Sequence, residues 1–220
     1  MTKVCILAAG RGSRNDVIEG LHKALLPINN RPMISHIFEC IPAHFEIVIA
    51  VGYKKDQIKD YVRHVFPNRK VTFVEIENYD RPGSGPGLSL LSCSSELQCP
   101  FIFMPVDTYT PGHLFAKVTR NWIGSAEIQD NDKVRYCLIE GVETLSKIGY
   151  GIGSSIFNGI AGIYNYKDFW LSLSDPTLIK NEHQVINGFK ELTNVKIRRF
   201  DNFYDTGNSK SYKAIKQRFS

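Results

Sequence analysis

Near the start of the chain an apolar run, Val4–Ala8, leads through Ala9 straight into Gly10-Arg11-Gly12-Ser13-Arg14. A short apolar run ending in a glycine-rich turn reads as a buried parallel strand feeding a loop. Parallel strands need long crossover connections, usually helical. This one feature therefore predicts a sheet built from β-α-β units. It also puts the loop at the carboxyl end of a strand, where α/β sheets bind their ligands.

The same alternation continues. Phe45–Val51 and Val71–Ile76 read as the second and third strands, and Phe101–Met104 as the fourth. Between them, Pro32 opens a segment with Met33, Ile34, Ile37, Phe38 and Ile41 on one helical face. Lys55–Val65 carries Ile58, Tyr61, Val62 and Val65 at helical spacing, and Leu88–Cys93 begins another helix. This order predicts a three-layer α/β/α, Rossmann-like fold with a mainly parallel mixed sheet. Beyond it the pattern changes. Asp130-Asn131-Asp132 reads as a hairpin turn between Ala126–Gln129 and Lys133–Glu140. Ile160–Tyr164 and Val195–Phe200 read as strands, and Lys167–Leu173, Glu182–Leu192 and Ser209–Arg218 as helices. No repeat or linker divides the chain, so residues 1–220 are expected to form one domain, with a hairpin- or lid-like region at about 123–165.

Composition narrows the function classes. With 43% hydrophobic and 22% charged residues the chain has ordinary globular balance. No apolar stretch approaches the ~20 residues that span a bilayer, and the N-terminal run is too short for a signal peptide. A cytoplasmic location without membrane contact is the expectation. The 5 cysteines are odd in number and form no Cys-x-x-Cys pair, so they read as reduced thiols. The 6 histidines show no metal-ligand spacing. A net charge of +5 suits small anionic ligands and lacks the clustering of a nucleic-acid binder. The densest basic stretch, Lys196-Ile197-Arg198-Arg199, alternates like an edge strand.

Glycines at 10 and 12 let backbone N–H groups approach a phosphate. Two familiar phosphate motifs do not fit: Asn15 stands where a dinucleotide fingerprint needs its third glycine, and the Gly-Lys-Ser/Thr of a P-loop is absent. What remains is Gly-x-Gly-x-Arg. Arg14 is able to clamp phosphate oxygens bidentately, and Lys23 supplies a compact cation further on. Asp107 follows the apolar strand Phe101–Met104 and faces the ligand crevice of such a sheet. It suits a hard cation, and equally a helix cap or turn. Asp205, before Thr206-Gly207, has the same two readings, metal ligand or cap of the last helix.

Leu7-Ala8-Ala9-Gly10-Arg11-Gly12-Ser13-Arg14 followed by Lys23-Ala24-Leu25-Leu26-Pro27-Ile28 resembles the signature of the nucleotidyltransferases that make sugar nucleotides and CDP-alcohols. The group includes phosphocholine cytidylyltransferases and glucose-1-phosphate thymidylyl- and uridylyltransferases. The resemblance implies a glycosyltransferase-A-like nucleotidyltransferase fold. It implies that Leu7, Ala8, Ala9, Gly10, Gly12, Ser13, Ser84, Gly85 and Pro86 hold the nucleotide. Arg14, Lys23, Asp107 and Asp205 would be catalytic, with Asp107 and Asp205 holding Mg2+. Gly159, Ala161 and Tyr204 would lie on the acceptor side. The implied reaction joins an NTP to a phosphorylated small molecule and releases pyrophosphate, as in surface polysaccharide or head-group synthesis. CTP with a phospho-alcohol ranks just ahead of UTP or dTTP with a sugar 1-phosphate. The implied partners are those two substrates alone, with no nucleic acid and no membrane, the chain being monomer or homodimer.

Two features depart from the family pattern. His22 stands where proline is usual, and no Glu-Lys-Pro occurs near Glu140-Gly141-Val142-Glu143, which leaves Lys147 as a neighbouring candidate for the acceptor phosphate. Two rivals remain open. Against a nucleotide-sensing domain of the same fold stands the intact set Arg14, Lys23, Asp107 and Asp205; loss of one carboxylate would favour it. A glycosyltransferase would show Asp-x-Asp, and Asp107-Thr108-Tyr109 lacks the second aspartate.

Overall fold

The structure, a computed structural model, describes residues 2–12, 18–112, 114–127 and 130–219, with the backbone alone for 130–132. Strands β1 (Lys3–Ala8), β2 (Glu46–Val51), β3 (Val71–Glu75) and β4 (Phe101–Pro105) form the parallel half of a nine-stranded sheet, in the order β4-β1-β2-β3. Their side chains alternate between two cores. Val4, Ile6, Ile47 and Ile49 face α1 (Met33–Glu39) and α2 (Lys55–Val65). Cys5, Leu7, Val48 and Ala50 face α3 (Pro86–Ser92) and α4 (Tyr166–Leu173), where Phe101 stacks on Trp170 at 4.9 Å. Both faces are buried, which is why these strands read as unbroken apolar runs. The three-layer α/β/α architecture follows from that double burial.

The antiparallel half comprises β5 (Trp122–Ala126), β6 (Leu138–Gly141), β7 (Leu145–Gly149) and β8 (Ser155–Ile163), and β9 (Lys196–Arg199) adds to β5 in parallel. β8 branches the sheet. It pairs with β5 along one edge, and on the other with β4 at Ala161–Ile163 and with β6 at Ser155–Ile156. Gly159 sits between those two ladders, with φ +84 and the Pro105 ring where a side chain would be. A gap therefore opens beside the end of β4, at the point where strand direction switches. The last helix, α5 (Ser209–Arg218), closes the first layer through Tyr212 and Ile215. Among the described residues no helix is long and apolar enough to cross a membrane.

Several local expectations need correction. Asp130–Arg135 is a 3-10 turn rather than a hairpin turn, and the hairpin lies later, between β6 and β7. The strand expected over Lys133–Glu140 is therefore confined to Leu138–Gly141; Ile128 and Gln129 lie outside the described residues. Glu182–Leu192 is not a regular helix. It begins as a tight hairpin, Leu178–Ile179 with Glu182–His183, turned by Lys180 and Asn181 at φ 54 and 63. Two consecutive positive φ values give the turn whose twist matches a hairpin. A 3-10 helix, Val185–Phe189, follows, and a Cβ at Gly188 would lie 2.3 Å from the Phe169 ring. Pro32 precedes α1 instead of lying in its first turn, and Ile41 is buried beyond the helix end.

Candidate functional site

The glycine loop leaves β1 at the carboxyl end of the sheet. The Ala9 carbonyl accepts the Tyr53 N–H at 2.9 Å, tying the loop to the end of β2. Among the described residues, nothing lies within 4 Å of where a Cβ on Gly10 would be. Gly12 has φ +67, and a Cβ there would press on the Lys23 stem at 3.0 Å. Lys23 in turn reaches across the fold. Its Nζ donates to Asp107 Oδ2 at 2.8 Å.

A two-residue ladder, Thr108–Tyr109 with Tyr204–Asp205, brings the second carboxylate beside the first. Thr206 fastens the junction, donating to the Asp107 carbonyl from its N–H at 2.8 Å and its hydroxyl at 2.9 Å. Gly207 fills the space between the two side chains: a Cβ would lie 2.8 Å from Asp205 Oδ1 and 3.2 Å from Asp107 Oδ2. Asp205 is held from both sides. The Gly207 N–H donates to Oδ1 at 2.6 Å, Arg135 Nη2 donates to Oδ2 at 3.1 Å, and the Tyr136 hydroxyl donates to that same Oδ2.

These groups line a cleft of about 250 Å³ with Leu7, Pro86, Phe103, Phe157, Asn158 and Gly159 on its walls. A cavity of about 430 Å³ adjoins on the loop side, lined by Arg11, Lys23 and Lys54. Arg11 and Lys54 both lie over the Tyr53 ring, at 5.3 and 5.1 Å. A third cavity, about 490 Å³, opens around Glu127, Lys133 and Arg199 and contains neither carboxylate. The third cavity also gathers charge, including Asp201, so it is the place of the first two at the strand ends beside the glycine loop that marks them as the site. Two carboxylates lining one cleft are the donor type of a hard cation that takes one or two protein carboxylates and completes its shell with phosphate and water. Among the described residues no third His, Cys, Asp or Glu joins them.

His22 is fully buried behind Lys23. Its Nδ1 accepts the Ala24 N–H at 3.0 Å, which leaves the ring proton on Nε2. Burial first, and then the charge of Lys23, lower its pKa from 6.5 to about 4. The ring is neutral at pH 7 and adds no charge to the site. Because the folded chain refuses a proton that the unfolded chain takes up, its contribution to stability is complete above pH 6.5 and is lost as pH falls toward 4. Urea midpoints measured across that range are expected to decline in the native chain and to decline less steeply in His22→Gln. Equal slopes would remove His22 from the acid response.

Of the sequence candidates, Leu7, Pro86, Asp107, Gly159 and Asp205 line the cleft, and Gly12 reaches it through Lys23. Ala8 is buried in the core beneath the loop. Ser84 and Gly85 do not line the cleft; a Cβ on Gly85 would lie 2.5 Å from the His183 carbonyl, so this glycine packs two backbones together. Ala161 is fully buried in the sheet core instead of facing an acceptor. Tyr204 turns away to pack on Tyr109 and Phe219. Ser13 and Arg14 lie outside the described residues. Lys147 lies 3.6 Å from Glu140 with its side chain 66% exposed, away from the cleft. Arg135, Tyr136 and Asn158 are cleft residues that sequence reasoning missed.

An α/β sheet with a glycine loop, two carboxylates and two cations gathered at its strand ends has the form of a doubly wound fold, whose ligands bind along that edge. A profile of the MobA-like NTP transferase domain matches residues 4–138, and the chain belongs to that family. It is 33% identical over 104 residues, 46% of its length, to the bifunctional protein GlmU of Methanococcus maripaludis. The chain spans about a quarter of the length of such curated relatives. Among solved structures, the CTP:phosphocholine cytidylyltransferase LicC of Streptococcus pneumoniae superposes with TM-score 0.79 at 20% identity, covering 100% of this chain and 99% of that one. A UDP-glucose pyrophosphorylase in complex with UDP-glucose superposes with TM-score 0.83 at 18% identity, covering 100% and 98%. These likenesses establish the nucleotidyltransferase fold.

Proposed function

We propose that the chain transfers a nucleoside monophosphate from an NTP to a phosphorylated small molecule and releases pyrophosphate. One observation carries this reading: Asp107 and Asp205 flank Gly207 within reach of Lys23, whose stem packs under the glycine loop at the end of β1. Family membership supports the same chemistry. The acceptor phosphate has its second pKa near ~6 and is largely dianionic at pH 7, so it attacks without a strong general base. The neutral, buried His22 is consistent with that economy. Catalysis then consists of alignment and charge stabilisation. Lys23 holds oxygens of the reacting α-phosphate, and backbone groups of Gly10 and Gly12 support the nucleotide. Asp107 and Asp205 would hold Mg2+, which supplies neutralisation of the facing phosphates. The assignment of Arg14 to the departing pyrophosphate rests on sequence alone.

CTP with a phospho-alcohol or phospho-amino compound is the first pair to try, supported by the likeness to the pneumococcal cytidylyltransferase fold. The test is magnesium-dependent pyrophosphate release with CTP, UTP, dTTP, ATP and GTP, each crossed against phosphocholine, phosphoethanolamine and sugar 1-phosphates. Release is expected with CTP and one phospho-alcohol. Release with UTP or dTTP and a sugar 1-phosphate would keep the reaction and change the substrates. Binding of an Mg·NTP without turnover on any acceptor would favour a sensing domain. No binding at all would overturn the reading.

A further inference from the structure

We infer that Arg135 is the residue that takes the acceptor's phosphate, and that its ion pair with Asp205 is the resting position of that side chain. The inference rests on the transferase reading above and extends it to the acceptor half of the site. Among the described residues, each carboxylate has a cation beside it. Lys23 Nζ lies 2.8 Å from Asp107, and Arg135 Nη2 lies 3.1 Å from Asp205. The two cations enter from opposite sides. Lys23 comes from beneath Gly12, on the nucleotide side. Arg135 comes from the 3-10 turn that leads into β6, on the antiparallel side of the cleft. A reaction between two phosphates needs a cation for each. Lys23 faces the first, and the position of Arg135 assigns it to the second.

The other basic side chains nearby are placed for different work. Lys147 lies outside the cleft beside Glu140. Lys180 Nζ sits 3.8 Å from the centroid of the Tyr150 ring and donates to the Val134 carbonyl at 3.5 Å, which braces the turn carrying Arg135. The chemistry also favours arginine. A guanidinium offers parallel N–H donors to a phosphate, and it is always charged. Its pairing with Asp205 keeps a partly enclosed cation compensated while the cleft is empty. A dianionic phosphate then competes with Asp205 for the guanidinium donors.

The test uses the full chain with Arg135→Gln, Arg135→Lys and Lys147→Gln, each checked for fold by circular dichroism. With the substrate pair found in the grid, Arg135→Gln is expected to raise the acceptor KM about 10- to 30-fold, the loss of one charge-assisted contact, and to leave the NTP KM within about twofold. Arg135→Lys should recover part of that loss, and Lys147→Gln should match the native chain. An unchanged acceptor KM overturns the inference. So does a fall in kcat with equal changes in both KM values and a raised magnesium requirement, since that pattern belongs to a residue that only props Asp205. A separate calorimetric titration uses inorganic phosphate in the presence of magnesium and does not depend on turnover. Weaker phosphate binding in Arg135→Gln supports the assignment even if the grid is silent and the transferase reading falls. Equal binding, or none in the native chain, overturns it.

Discussion

Asp107→Asn is expected to keep the fold and to lose more than about 100-fold in turnover, the scale of removing one preorganised charge contact at a reacting centre. The backbone of Asp107 fastens this part of the chain independently of the carboxylate. Its carbonyl accepts both Thr206 donors, at 2.8 and 2.9 Å, and the neighbouring Thr108 pairs with Asp205 across the short ladder. Asparagine preserves those bonds and nearly the same shape. What it removes is the negative charge facing Lys23 at 2.8 Å. The melting temperature should therefore move by only a few degrees, the equivalent of about 1 kcal/mol in a domain of this size. Pyrophosphate release and thermal melting on the same preparation separate the two effects. Native-like turnover would remove this carboxylate from the machinery, and a collapsed melting transition would make it structural.

The parts of this fold legible in the sequence are those where burial alone decides the pattern. β1, β2 and β4 are covered on both faces, so their apolar runs are uninterrupted. α2 presents Ile58 and Val62 to one core and polar residues elsewhere, which leaves a clear helical period. Where distant contacts decide, the pattern is silent. Val185–Phe189 is apolar at a spacing that suits a helix, but the segment is set by the turn at Lys180-Asn181 and by Gly188 against Phe169. In the sequence, Asn181 alone is of a type that tolerates positive φ, and Lys180 carries no such signal.

The site divides the same way. Asp107 is announced by the strand before it, and Asp205 by its short Asp-Thr-Gly run. Arg135 meets Asp205 across 70 residues of chain, from a turn that the sequence suggests should be part of a hairpin. No local signal marks that pair. Tyr204 packs outside the cleft for a simple reason: neighbours in an extended segment point to opposite faces, so placing Asp205 in the cleft sends Tyr204 away from it. Gly159 and Ala161 would share a face in a regular strand. The register of β8 shifts between Phe157 and Ala161, and that irregularity leaves Gly159 in the cleft and Ala161 in the core.

Gly207→Ala provides the complementary experiment, because it changes the distance between the carboxylates without changing their charge. The added methyl would sit 2.8 Å from Asp205 Oδ1, closer than such contacts occur, and 3.2 Å from Asp107 Oδ2, a tight contact. Asp205 is the side chain that must yield. It is held by the Gly207 N–H at 2.6 Å and by Arg135 and Tyr136, so its displacement also disturbs those partners. A shift of roughly 1 Å at a reacting centre can cost on the order of 100-fold in rate, and that is the loss expected in turnover. The magnesium dependence distinguishes this loss from the loss in Asp107→Asn. Gly207→Ala keeps both ligands in a poorer arrangement, so raising the magnesium concentration should recover part of its activity. Asp107→Asn lacks one ligand and should recover little. Equal recovery in both variants would mean that the carboxylate pair does not act as one metal site. Native-like magnesium dependence in Gly207→Ala would mean that the close approach at Gly207 serves packing alone.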